Sequence, residues 1–190
     1  MPLTLPNVLT LLRLFAAPGV ALVFVLLPRP AADGAAFALF ALASITDWFD
    51  GWIARKFNQM SEFGRMLDPI ADKAMVTIAL AVILMLSGPD PWLIIPAAAI
   101  FLREVAVSGL REHLAGRVSI PVTRLAKWKT TAQMVAIAAL LLTIYSDLLG
   151  LIGVGLLWVA AALTAITGWD YFRRGLASPA MQEPEMQEDG

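Results

Sequence analysis

Asp47-Trp48-Phe49-Asp50-Gly51-Trp52-Ile53-Ala54-Arg55, followed after a break by Gly64-Arg65-Met66-Leu67-Asp68-Pro69-Ile70-Ala71-Asp72, is the stretch that decides the fold. Asp47 and Asp50 are spaced i, i+3, and Asp68 and Asp72 i, i+4, so each pair shares one face of its helix. The joining turn centres near residues 58–60. Asp50 and Asp68 each stand nine residues from Gln59, and Asp47 and Asp72 stand 12 and 13 from it. In antiparallel neighbouring helices rising about 1.5 Å per residue, the four carboxylates reach matched depths.

The sequence around this hairpin belongs in lipid. Hydrophobic residues make up 59% of the 190 and charged ones 15%, with a mean hydropathy of +0.74. A soluble domain is about 25% charged, and a chain this short has too little interior to bury such an apolar excess. About 20 apolar residues cross a bilayer as a helix. Six runs qualify: 8–27, 35–55, 64–86, 92–114, 129–145 and 149–172. Turn residues separate several of them, as in Pro28-Arg29-Pro30, Ser87-Gly88-Pro89-Asp90-Pro91 and Ser146-Asp147. The expected architecture is all-α: a polytopic membrane domain over 1–176 with six transmembrane helices. A short interfacial segment at residues 2–7 leads in. A disordered acidic tail follows over 177–190, its last 13 residues holding two Pro, four acids and no base. Met1 to Thr10 has no Lys or Arg and no small-residue cleavage site follows, so the first apolar run is expected to stay in the membrane.

Of 14 Lys and Arg, only Arg29 falls in a loop on one side. The other side collects Arg55, Lys56 and Arg65, then Arg111, Arg117, Arg124, Lys127 and Lys129, then Arg173 and Arg174. By the positive-inside bias that face is cytoplasmic, with both termini on it. The net charge of −1 points away from nucleic acid. The absence of Cys and the single His113 exclude thiolate and multi-histidine metal sites, leaving carboxylates that suit hard cations.

Intramembrane acids cost about 2.5–3.5 kcal/mol each on insertion scales, and Arg55 and Lys73 are too few to offset four of them. A pair of divalent cations is the economical counterweight, and such pairs serve phosphoryl chemistry. Gly51, Ala54 and Gly64 lie on the same stripe, at spacings of four from Asp47, Asp50 and Asp68. They either leave room for a ligand beside the acids or allow close helix packing. Arg13, inside the first apolar run, either lines a site or snorkels to the surface.

The stretch 47–72 matches D-x-x-D-G-x-x-A-R-x8-G-x-x-x-D-x-x-x-D at all eight fixed positions. It resembles the CDP-alcohol phosphatidyltransferase family, and the likeness runs from Leu5 to about Leu163, fading in the final helix. The resemblance implies a six-helix membrane enzyme of the inner (plasma) membrane, a homodimer with its site facing the cytoplasm. It implies two Mg2+ or Mn2+ ions held by Asp47, Asp50, Asp68 and Asp72, with Asp72 also the general base. Asn7, Thr10 and Arg13, together with Gly51, Ala54, Arg55 and Gly64, would bind CDP-diacylglycerol.

For the acceptor, Arg103-Glu104, Arg111, Arg124 and Lys127 form a basic cluster suited to a dianionic phosphate, pointing to glycerol 3-phosphate. Lys129 reads equally well as a lipid-headgroup contact. Inositol phosphate and phosphatidylglycerol stay open as acceptors. A cation transporter would carry acids at several depths, whereas the halves of these helices remote from the cytoplasm are nearly free of charge.

Overall fold

The computed structural model describes residues 4–56, 61–113 and 124–176, apart from the side chains of Trp48, 50–55, Arg65, 111–113, Arg124, Ala126 and 174–176. The expected acidic tail lies outside the described residues. Six α-helices follow one another: α1 Leu5–Leu26, α2 Ala31–Lys56, α3 Glu62–Ser87, α4 Pro91–His113, α5 Arg124–Leu141 and α6 Asp147–Leu176. A single 3-10 turn, Thr143–Tyr145, precedes α6. No strand occurs among the described residues.

The helix ends follow local chemistry. Pro6 sits in the first turn of α1, where a missing N–H costs nothing. Ser61 caps α3, its hydroxyl accepting from the Gly64 N–H at 2.9 Å. Gly88 ends α3 at φ +70, a region open mainly to glycine. The main departures from the expected boundaries are at α1 and α5. The interfacial lead-in at 2–7 is not a separate element over its described part, because α1 is already continuous from Leu5, with Pro6 and Asn7 buried. The fifth helix starts at Arg124 rather than 129 and ends at Leu141 rather than 145. Arg124 and Lys127 read as loop by charge, but Lys and Arg are good helix formers.

Among the described residues, four helices are long and apolar enough to cross a membrane: Leu5–Leu26, Glu62–Ser87, Pro91–Leu110 and Asp147–Arg173. The remaining two are α2, which carries Asp33, Asp47, Asp50, Arg55 and Lys56, and α5, whose 18 residues carry Arg124, Lys127 and Lys129. Large apolar side chains face outward around the bundle, among them Phe15, Val25, Leu102 and Leu151. In a bundle of long apolar helices, such a surface is solvated by lipid, and the protein is an integral membrane protein.

The helices pack as two groups of three. α1 lies along both α2 and α3, α6 lies along both α4 and α5, and α5 joins the groups by touching α2 and α3. The acidic helices α2 and α3 were expected to be direct neighbours, but α1 packs on both and they touch each other at most glancingly. The core is built of small residues with a few large ones: Ala17, Ala36, Ala79, Ala136 and Ala160 around Phe40, Met75, Ile100, Ile137 and Leu157. Small side chains let helix backbones approach, the main source of cohesion where no hydrophobic effect operates between helices.

α5 and α6 approach closely at Gly153, where an added Cβ would fall 2.7 Å from Leu140 Cγ and 3.1 Å from the Leu140 backbone nitrogen. The backbone atom cannot move aside, so Gly153→Ala is expected to destabilise by about 1–3 kcal/mol. Thermal unfolding in detergent will register this as a lowered midpoint, whereas Gly155→Ala, where the space is open, will leave it unchanged.

Candidate active site

Asp47 of α2 and Asp68 and Asp72 of α3 line one cavity of about 400 Å3 between the two helix groups. Its opposite wall comes from α4 and α5, with Glu104, Lys129, Thr130, Gln133 and Met134; Pro69, Lys73 and Val76 complete it. Three acids therefore stand on one wall, and Lys129, Glu104 and neutral polar residues on the other.

The carboxylates are gathered by α1. Arg13, 2% exposed, places Nη1 2.5 Å from Asp47 Oδ1 and 3.0 Å from Asp72 Oδ1. The Thr10 hydroxyl donates to Asp68 Oδ1 at 2.6 Å. One turn earlier, the Ser61 hydroxyl donates to Asn7 Oδ1 at 2.7 Å. Asn7, Thr10 and Arg13 recur every three residues, so all three face α3. Sequence reasoning assigned them to the nucleotide; here they are buried and engaged with the α3 N-cap and the acids. Gly64, assigned as room for a ligand, is filled instead: a Cβ there would meet Asn7 Oδ1 at 2.8 Å. Its bareness admits α1.

Asp50, Gly51, Ala54 and Arg55 lie in α2, and Arg111 and Arg124 in α4 and α5, but their side chains fall outside the described ones. Among the described residues, no three acids form a ready ion cage. The donor chemistry nonetheless fits a hard divalent cation. The acids meet at one wall, all their donors are oxygen, and no His or Cys competes.

On the other wall, Glu104 Oε1 accepts from Lys129 Nζ at 2.7 Å and from Arg103 Nη1 at 3.0 Å. Lys73 Nζ bonds the Ser108 hydroxyl, which in turn donates to the Glu104 backbone carbonyl at 2.6 Å. Lys73 thus ties α3 to α4. Two expectations for this cluster are corrected. Lys127 is exposed and not on the cavity wall, whereas Lys129 is 6% exposed and is. Two residues on an α-helix differ by about 200°, so only one of the pair can face inward. Arg103 stands behind Glu104 and is not itself part of the wall.

Gln133, buried one turn beyond Lys129 on the same face, is a wall residue that the sequence reading gave no role. The signal was present: Lys129 and Gln133 stand at i, i+4 on the face that continues as Ala136, Ile137 and Leu140.

Residues 3–166 match the family model of the CDP-alcohol phosphatidyltransferases. Several relatives carry the name CDP-diacylglycerol–glycerol-3-phosphate 3-phosphatidyltransferase. The one from Cereibacter sphaeroides is 50% identical, over 91% of this chain and 96% of its own. That from Rickettsia bellii is 49% identical over 89% and 93%, and that from Shigella flexneri 43% over 86% and 90%. The chain belongs to the CDP-alcohol phosphatidyltransferase family, and it is a phosphatidyltransferase.

Removing Arg13 leaves Asp47 and Asp72 facing each other without a counter-charge. Breaking a fully buried pair costs about 3–5 kcal/mol. Here the acids are 40% and 41% exposed, so Arg13→Ala is expected to cost about 1–3 kcal/mol. Arg13→Lys should recover part of that loss, since one ammonium meets one carboxylate well but bridges two poorly. Chemical or thermal unfolding of the purified protein in one detergent measures both.

Proposed function

We propose that this protein transfers the phosphatidyl group of CDP-diacylglycerol to glycerol 3-phosphate, giving phosphatidylglycerol phosphate and CMP. The observation that carries the reading is one cavity with Asp47, Asp68 and Asp72 on one wall and Lys129 on the other, Lys73 reaching across from α3. One wall suits a cation-bound diphosphate, and the other suits a second, separate phosphate. The names of the relatives support the choice of acceptor.

Asp47, Asp50, Asp68 and Asp72 are the residues that would hold two Mg2+ or Mn2+ ions, which would neutralise charge on the diphosphate and on the departing CMP. The acceptor's phosphate rests against Lys129 and Lys73, with Arg103, Arg111 and Arg124 adding to the positive field around it. Held there, the 1-hydroxyl is oriented for attack, which removes much of the entropic barrier. Asp72 takes the hydroxyl proton as the oxygen bonds to the β-phosphorus. The bond from that phosphorus to the bridging oxygen breaks, and CMP leaves with it. The two acyl chains stay in the bilayer throughout.

The cytoplasmic orientation rests on the positive charges: all six helices cross, both termini lie inside, and the cavity opens near the cytoplasmic face of the inner membrane. In this arrangement α2 and α5 span despite their charge, with Asp47 and Lys129 turned to the cavity rather than to the chains of the lipid. A homodimer is proposed on the family resemblance alone.

Purified protein in detergent, given CDP-diacylglycerol and Mg2+ or Mn2+, is expected to release CMP with glycerol 3-phosphate. Inositol phosphate and phosphatidylglycerol should give no release, and chelation should abolish the activity until a divalent ion is restored. CMP release with inositol phosphate instead would overturn the acceptor while sparing the family. Asp72→Asn is expected to fold normally and lose about 10²–10⁴-fold in kcat.

A further inference from the structure

Near its end α6 meets Arg103 of α4 at a residue with no side chain. Along its inner face Leu157, Ala160, Ala161, Thr164 and Thr167 are buried, and Gly168 follows one turn after Thr164. A Cβ on Gly168 would lie 2.9 Å from Arg103 Cγ, 3.9 Å from Cδ and 3.8 Å from Nε. The stem of Arg103 therefore runs directly across the α6 backbone, and its head turns towards Glu104. Its Nε is buried and has no hydrogen-bond partner among the described residues.

A leucine or methionine would fill the same volume without the cost of desolvating a guanidinium. What Arg103 adds is charge, and that charge falls on Glu104 Oε1, the oxygen that also holds Lys129. Of the three, Glu104 and Lys129 line the cavity and Arg103 does not. A line of contacts thus runs from the α6 backbone through Arg103 and Glu104 to the lysine on the cavity wall.

We infer that Gly168 is a positioning residue for the acceptor subsite: its bare backbone seats Arg103, which orients Glu104 and through it the Lys129 ammonium that meets the acceptor's phosphate. The inference rests on the proposed acceptor reading and deepens it. It gives α6, none of whose described residues lines the cavity wall, a part in substrate selection. A single methyl group at position 168 has to displace the Arg103 stem, because the clash is with Cγ, near its root, and not with its mobile tip.

The test is steady-state CMP release by the full-length enzyme in mixed micelles, with glycerol 3-phosphate and CDP-diacylglycerol varied in turn. Gly168→Ala is expected to raise KM for glycerol 3-phosphate about tenfold, with KM for CDP-diacylglycerol unchanged within about twofold. Arg103→Gln, which adds nothing to α6, should give the same split, and Arg103→Lys should recover part of it. In an Arg103→Gln background, Gly168→Ala should add little, because the two changes act on one contact. Gly155→Ala, on the same helix in open space, should match the unaltered enzyme.

Unchanged KM for glycerol 3-phosphate in both Gly168→Ala and Arg103→Gln would overturn the inference. So would a fall in kcat with both KM values constant. An unaltered enzyme that turns over with a different acceptor would instead overturn the acceptor reading, a result visible before any variant is made. Should Gly168→Ala fail to fold, Arg103→Gln alone decides the matter.

Discussion

Carboxylates brought together at the edge of a membrane repel one another in a medium that screens them poorly. Asp47 and Asp72 come from different helices, yet both stand within 3.0 Å of one nitrogen of Arg13. That requirement determines where α1 must be. It has to run along both acidic helices, presenting Asn7, Thr10 and Arg13 on one face, and Gly64 has to be bare for it to come close enough. Once α1 is in place, α2 and α3 need little direct contact with each other. The acids converge because a third helix draws them in.

The other half of the molecule meets this arrangement with the opposite charge. Glu104 gathers Arg103 and Lys129 on α4 and α5, while Lys73 crosses from α3 to Ser108 on α4. The cavity therefore lies between a wall of carboxylates and one where Lys129, paired with Glu104 and backed by Arg103, is met by Lys73 from α3. That polarity matches a reaction joining two phosphorylated substrates, one whose diphosphate is best neutralised by cations and one whose phosphate is best held by ammonium groups. The rest of the bundle is ordinary membrane packing, with small residues at the helix contacts and large apolar ones facing outward.

Much of this was legible in the chain. The apolar runs and their Pro and Gly breaks located the helices, and the spacing of Asp47, Asp68 and Asp72 announced convergence on one site. Three features were not legible, each for a physical reason. Spacing within a helix says which residues share a face but not which helix that face meets, so Arg13 read as lining a site or snorkelling rather than as the bridge between two acids. The start of α5 was set too late by its charges, and its inward face then had no fixed register. Lys127 was chosen where Lys129 belongs, although the turn from Lys129 to Gln133 held the answer. Gly168 sits where the resemblance had faded, and a glycine's role depends on the neighbour it admits, which only the packing reveals.

Whether the convergent acids serve as a cation site is tested most directly by an experimental map of the protein with Mn2+, recorded at a wavelength where manganese scatters anomalously. The expected result is two anomalous peaks enclosed by the carboxylates of Asp47, Asp50, Asp68 and Asp72. A map with those side chains on diverging surfaces, and no peak among them, would contradict the account at its root.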